Sequence, residues 1–111
     1  MIEKVVLDYL TSCMKCPVAM EKLPGPGPFI LIQKVGGSKE NQIWTSTLEF
    51  TVFDTSLYNA AALCEEMIGY LDAMADHVHG VSRSHYGGSY NATFTSDKTY
   101  RYKAIYTITH Y

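Results

Sequence analysis

The chain has 111 residues, with nine Lys plus Arg against eleven Asp plus Glu and a formal net charge of -2. That length suits a single domain, 1–111, burying roughly 65% of its unfolded surface. The weak acidity, with no long run of either sign, gives no electrostatic footprint for gripping nucleic acid or an anionic membrane, and no apolar stretch reaches the length of a membrane span.

Residues 2–13 place Ile2, Val5, Val6, Tyr9, Leu10 and Cys13 at helical spacing, with Glu3, Lys4, Asp8 and Ser12 on the other side. Pro17 stops that helix. "PVAMEKL" then reads as a short strand leading into "PGPGP" at 24–28, a loop that can be neither helix nor central strand. "FILIQKV" at 29–35 is a β-branched and aliphatic strand, and "GGSKENQ" reads as a long hairpin tip. "IWTSTLEFTVF" follows, with Trp44, Leu48, Phe50 and Val52 on one face and Thr45, Thr47, Glu49 and Thr51 on the other, the pattern of a one-sided antiparallel strand.

"DTS" at 54–56 offers N-caps for a second helix, whose apolar stripe runs through Leu57, Ala60, Ala61, Cys64, Met67, Ile68, Leu71 and Met74. Gly80 follows its end. "VSRSHYGGSYNATF" reads as a strand with a bulge or bend at Gly87-Gly88, "TSDKT" as a turn, and "YRYKAIYTITHY" as a strand with Tyr100, Tyr102, Ala104, Tyr106 and Ile108 on one face. The fold class is α+β: a single, mainly antiparallel sheet of four to five strands with two helices packed on one face, in the order α-β-β-(β)-α-β-β.

The three cysteines are an odd number in a chain expected to be made in the cytoplasm, so a disulfide framework is not expected. Cys13 and Cys16 have the spacing of zinc knuckles and thiol oxidoreductases. A structural zinc needs two more ligands, and His77 and His79 suit better than Cys64, which falls on the apolar stripe of the second helix. A small metal-binding or redox module built on Cys13, Cys16, His77 and His79 is therefore the alternative reading. Against it, Cys13 stands at a helix C-terminus, where the dipole disfavours a thiolate, and completes the apolar stripe of the first helix, while Cys16 starts the next strand. Glu65 and Glu66 point in different directions on a helix, and Met20, Met67 and Met74 read as core filler. With no nucleophile–base or phosphate-loop signature, the chain is expected to be neither an enzyme nor the holder of a cofactor.

The stretch "FILIQKVGGSKENQIWTSTLEFTVFDTSLYNAAALCEEM" resembles small proteins encoded in the tail-morphogenesis modules of long-tailed phages and prophages, and "YNATFTSDKTYRYKAIYTITHY" looks like the end of the same proteins. Together these are similar to the tail-completion, or tail-terminator, family over roughly residues 17–111. The resemblance implies a non-enzymatic subunit that forms a ring, commonly of six copies, at the head-proximal end of the tail tube. There it stops tube growth and offers a surface for head joining. Its implied partners are further copies of itself, the tail tube protein and a head-completion or connector protein, with DNA met only in passage and no membrane. Its implied location is the host bacterial cytoplasm during assembly and then the virion. Carried onto this sequence, the expected partner-facing residues are Gly36, Gly37, Ser38, Lys39, Glu40, Asn41 and Trp44.

Overall fold

A computed structural model describes residues 1–25, 27–93 and 100–111. Its elements are α1 (Ile2–Cys13), β1 (Val18–Ala19), β2 (Phe29–Glu40), β3 (Ile43–Asp54), α2 (Leu57–Asp72), α3 (Met74–His77), β4 (Val81–Asn91) and β5 (Tyr100–His110). The expected turn at 95–99 lies outside the described residues.

The strands form one sheet in the order β1-β2-β3-β5-β4. The β1–β2 pairing is parallel and covers only Ile30 and Leu31; the other pairings are antiparallel. The two halves of the chain thus meet at the centre of the sheet, where β3 pairs with β5 along its length, from Trp44 opposite His110 to Asp54 opposite Tyr100.

Period-two alternation selects the core. Ile30 and Ile32 of β2, Leu48, Phe50 and Val52 of β3, and Ala104, Tyr106 and Ile108 of β5 are buried with Val6 and Leu10 of α1 and Cys64, Met67 and Leu71 of α2. Removing each large side chain from water contributes about 1.5–3 kcal/mol. Phe50 and Tyr106 meet edge to face at 6.1 Å, and the Tyr106 hydroxyl donates to Asp72 Oδ1 at 2.7 Å, so the ring is buried while its polar tip is satisfied. Burial, more than the Asp72 bond, pushes the Tyr106 phenol far above its ordinary value.

Ser56 caps α2, its hydroxyl accepting from the Asn59 N–H at 3.1 Å. The helix ends at Asp72, and Met74, expected as the last member of its stripe, lies buried in the separate turn α3. Gly80 then turns the chain with φ +91°. Met20 is 40% exposed in the loop after β1, not core filler, and Leu57 is equally open at the start of α2. Cys16 precedes β1 instead of starting it.

The other sheet face is not uniformly open, as the Thr-rich pattern had implied. Leu23 folds back over Phe29, Leu31 and Phe53, and the Phe29 and Phe53 rings stack 4.5 Å apart. A Cβ at Gly27 would come within 2.6 Å of the Phe53 carbonyl oxygen, so the Pro/Gly loop passes too close to β3 for any side chain there. The Gly87-Gly88 bulge is present: the β4–β5 register shifts between Tyr86 and Gly88, and Gly88 has φ +128°.

The largest departure from expectation concerns the hairpin tip. Gly36 to Glu40 continue β2 in register with β3, after a bulge between Lys34 and Gly36, and the turn is only Asn41-Gln42. Both turn residues have positive φ, 51° and 68°, the requirement of a tight two-residue turn whose twist matches the flanking strands. Gln42 holds a conformation that costs a non-glycine residue about 1–2 kcal/mol. Gln42→Gly, which creates the preferred Asn-Gly pair, is expected to stabilise the protein by about 0.5–1 kcal/mol in urea denaturation; unchanged or lower stability would contradict the turn geometry.

Candidate functional site

Residues in register form rows across the sheet, with a further irregularity in β4 between Val81 and Arg83. One row is Lys39, Trp44, His110 and Val81; the next two are Ser38, Thr45, Thr109 and Arg83, then Gly37, Ser46, Ile108 and Ser84. The expected partner-facing residues all belong to this end of the sheet. Gly36 to Glu40 lie on β2, Asn41 opens the turn, Trp44 is the second residue of β3, and all are exposed.

Trp44 shares the helix-facing side of β3 with Leu48, Phe50 and Val52, as its alternation predicts, yet it is 39% exposed because it stands near the open end of the sheet. Its indole is nearly parallel to the His110 ring, 10° apart in plane with centroids at 6.4 Å. The Lys39 and Lys34 ammonium groups lie 4.9 and 5.7 Å from the indole centroid, within cation–π range.

Beneath this cluster Ser46 is fully buried. Its hydroxyl is 2.8 Å from His110 Nε2, so the two polar groups satisfy each other across the strands. Burial lowers the His110 pKa below its ordinary value, because desolvation disfavours the imidazolium. Sequence reasoning missed Ser46, although a serine between Trp44 and Leu48 on an apolar face was itself the signal that a polar partner waits on a neighbouring strand.

Two further surfaces lie open. From Ile32 to Glu40 the outer edge of β2 carries no partner strand among the described residues, and neither does the outer edge of β4 from Val81 to Asn91. On the face away from the helices, Thr45 stands opposite Thr109 and Thr47 opposite Thr107, beside a Lys103–Glu49 ion pair at 2.7 Å.

The cysteines and histidines are distributed along the helical layer. Cys13 ends α1, half-buried, with its sulfur 3.9 Å from the Ser12 hydroxyl. Cys16 packs against the core, and burial raises its thiol pKa. Cys64 is buried in α2, where desolvation pushes its thiol up to about 11. His77 stacks near Tyr9 with centroids 6.5 Å apart, whereas His79 lies beside the first turn of α1. Among the described residues, no group of three or more His, Cys, Asp or Glu side chains is placed to hold a metal ion. Glu65 and Glu66 are exposed on α2. No described helix is long and apolar enough to cross a membrane.

No protein-family model and no curated protein matches the chain.

The His110 environment makes a prediction with a defined sign. The depressed native pKa means that the unfolded chain takes up the proton more readily, so the stabilisation is complete above pH about 6.5 and is lost as pH falls through the native value. Between pH about 7.5 and about 5, the urea midpoint of the wild type is expected to fall more than that of His110→Gln. Equal slopes would show that burial of His110 is not linked to folding.

Proposed function

We propose that the chain is a non-enzymatic virion assembly protein of the tail-terminator type, forming a ring at the head-proximal end of a phage or prophage tail tube. The observation that carries this reading is the pair of open edges on one sheet. Strand β2 runs parallel to β5 and opposite to β4, and the free segment Ile32–Lys39 lies level with Ser89–Val81 of β4 across the register. Setting β4 of one copy beside β2 of the next therefore continues the antiparallel alternation. That contact is head-to-tail and closes into a ring when the rotation per copy divides a full turn.

The resemblance of the β2–β3 hairpin and the closing strand to tail-completion proteins supports the same reading. It supplies the expected six copies and the partners: the tail tube protein on one side, and a head-completion or connector protein on the other. In this reading Gly36 to Asn41 and Trp44 belong to the contacts between copies, and the protein works in the host bacterial cytoplasm before joining the head–tail interface of the virion. Stopping a growing tube is then a matter of shape: one side of the ring matches the last tube ring, and the other does not repeat it. Weak net acidity suits a channel through which DNA slides without being held, since phosphate affinity comes from Lys and Arg.

Native mass spectrometry of the purified protein, with electron microscopy of isolated tail tubes, tests the proposal. A six-subunit species and density added at one tube end are expected. A chain that stays monomeric at every concentration and leaves tube ends bare would overturn it.

A further inference from the structure

On the face of the sheet away from the helices, the two open edges differ in charge. Alternation sends Lys34 and Lys39 to the helix-facing side, where both ammonium groups lie over Trp44. The opposite side of the free β2 edge then carries Gln33, Gly36, Ser38 and Glu40, so its one charge is the Glu40 carboxylate. On β4 the same side carries Arg83, His85, Gly88 and Tyr90, and the sequence from Val81 to Asn91 holds no acidic residue. One edge presents a carboxylate on this side, the other a guanidinium.

Neither charge is used within the chain. Arg83 and Glu40 are exposed, and neither forms an ion pair among the described residues. The described side-chain contact of Arg83 is His85 Nδ1, 3.4 Å from its Nη2, an imidazole nitrogen and not a carboxylate. The other ion pair on this face, Lys103 with Glu49 at 2.7 Å, lies farther along the strands and is closed on itself.

We propose that Arg83 of one copy pairs with Glu40 of the next, an ion pair repeated at every junction of the ring that fixes which edge meets which. The inference rests on the ring reading and its β4-to-β2 contact. Carried across that contact, the register sets Arg83 level with Ser38 of the next copy, so its diagonal neighbours there are Gly36 and Glu40. Diagonal positions lie about 7–8 Å apart, within reach of a long side chain. Gly36 offers no side chain, and the guanidinium therefore turns to Glu40, whose carboxylate it grips with two N–H donors. Wrong pairings lose this match. On this side of the sheet, β4 against β4 brings no carboxylate to Arg83, and β2 against β2 brings no cation to Glu40.

Charge reversal read by native mass spectrometry tests it. Arg83→Glu and Glu40→Arg each set like charges at every junction, and each alone is expected to raise the concentration for half-assembly about tenfold or more. The double variant is expected to return to within about threefold of the wild type. Both side chains are exposed, so every variant is expected to keep the wild-type circular dichroism and urea midpoint. Mixing the two single variants gives a sharper outcome. Alternating around a head-to-tail ring, they present the native pair at one junction and the reversed pair at the next. Rings holding equal numbers of the two are therefore expected at a concentration where neither assembles alone. A wild type that stays monomeric at every concentration overturns the ring reading and this pair with it. A wild-type ring that neither single variant weakens, or that the double variant and the mixture fail to restore, overturns the pair and leaves the ring standing on other contacts.

Discussion

The structure depends on a mismatch of lengths. Strands of 11 or 12 residues extend about 35–40 Å, whereas the 12 residues of α1 and the 16 of α2 rise about 18 and 24 Å. The helices therefore cover one stretch of the sheet and leave the rest bare, and the long axis of the molecule, 46 Å against 24 and 22 Å, reflects the strands alone. Under the helices the sheet presents Leu48, Phe50, Tyr106 and Ile108, which are fully buried. Past their end it presents Trp44, His110 and Lys39, side chains with both an apolar body and a polar function. Such residues suit a border where one part of a side chain is dry and the other wet.

The same mismatch explains a buried polar pair that ties the two halves of the chain together at this border. Ser46 lies too far under the helices to reach water, so its hydroxyl needs a partner inside the protein. His110, 64 residues away in sequence, supplies it. A histidine used in this way is held neutral by its surroundings, and its ring in turn offers a flat surface to the Trp44 indole. Packing, hydrogen bonding and protonation are thus three aspects of a single junction, placed where β3 and β5 approach the end of the sheet.

Much of the architecture was legible because it rests on short periods. The helical spacing of Val6 and Leu10, and of Cys64, Met67 and Leu71, and the alternation of Leu48, Phe50 and Val52 locate the core without any long-range information. The turn was misplaced for a physical reason. Gly36-Gly37 look like a reversal, but glycine is also tolerated in a strand next to a bulge, while the real turn uses Asn41-Gln42, with no glycine to announce it. The Trp44–His110–Lys34 grouping was invisible for a different reason: it exists only once the β3–β5 register is fixed, and a shift of one residue would send His110 to the opposite face. Cys13 and Cys16 illustrate the converse, since a familiar spacing in sequence joined no third ligand in space among the described residues.

Open edges are hazardous for any sheet, because an unpaired strand accepts whatever chain arrives. Here both outer strands carry devices that narrow the choice. Strand β2 is bulged between Lys34 and Gly36, and β4 between Tyr86 and Gly88, positions that fall within one row of each other across the sheet. Each bulge increases the local twist, so a flat foreign strand cannot lie along the edge for its full length. Lys34 and Lys39 on β2 and Arg83 on β4 add charge, which disfavours pairing of either edge with itself. In the proposed β4-to-β2 contact the twists would match, and the register would set Arg83 level with Ser38, Lys39 with Val81 and Lys34 with Tyr86, so no two cations would stand directly opposite each other. In the proposed ring, it is these bulges and not the hydrophobic core that would set how β4 of one copy lies against β2 of the next.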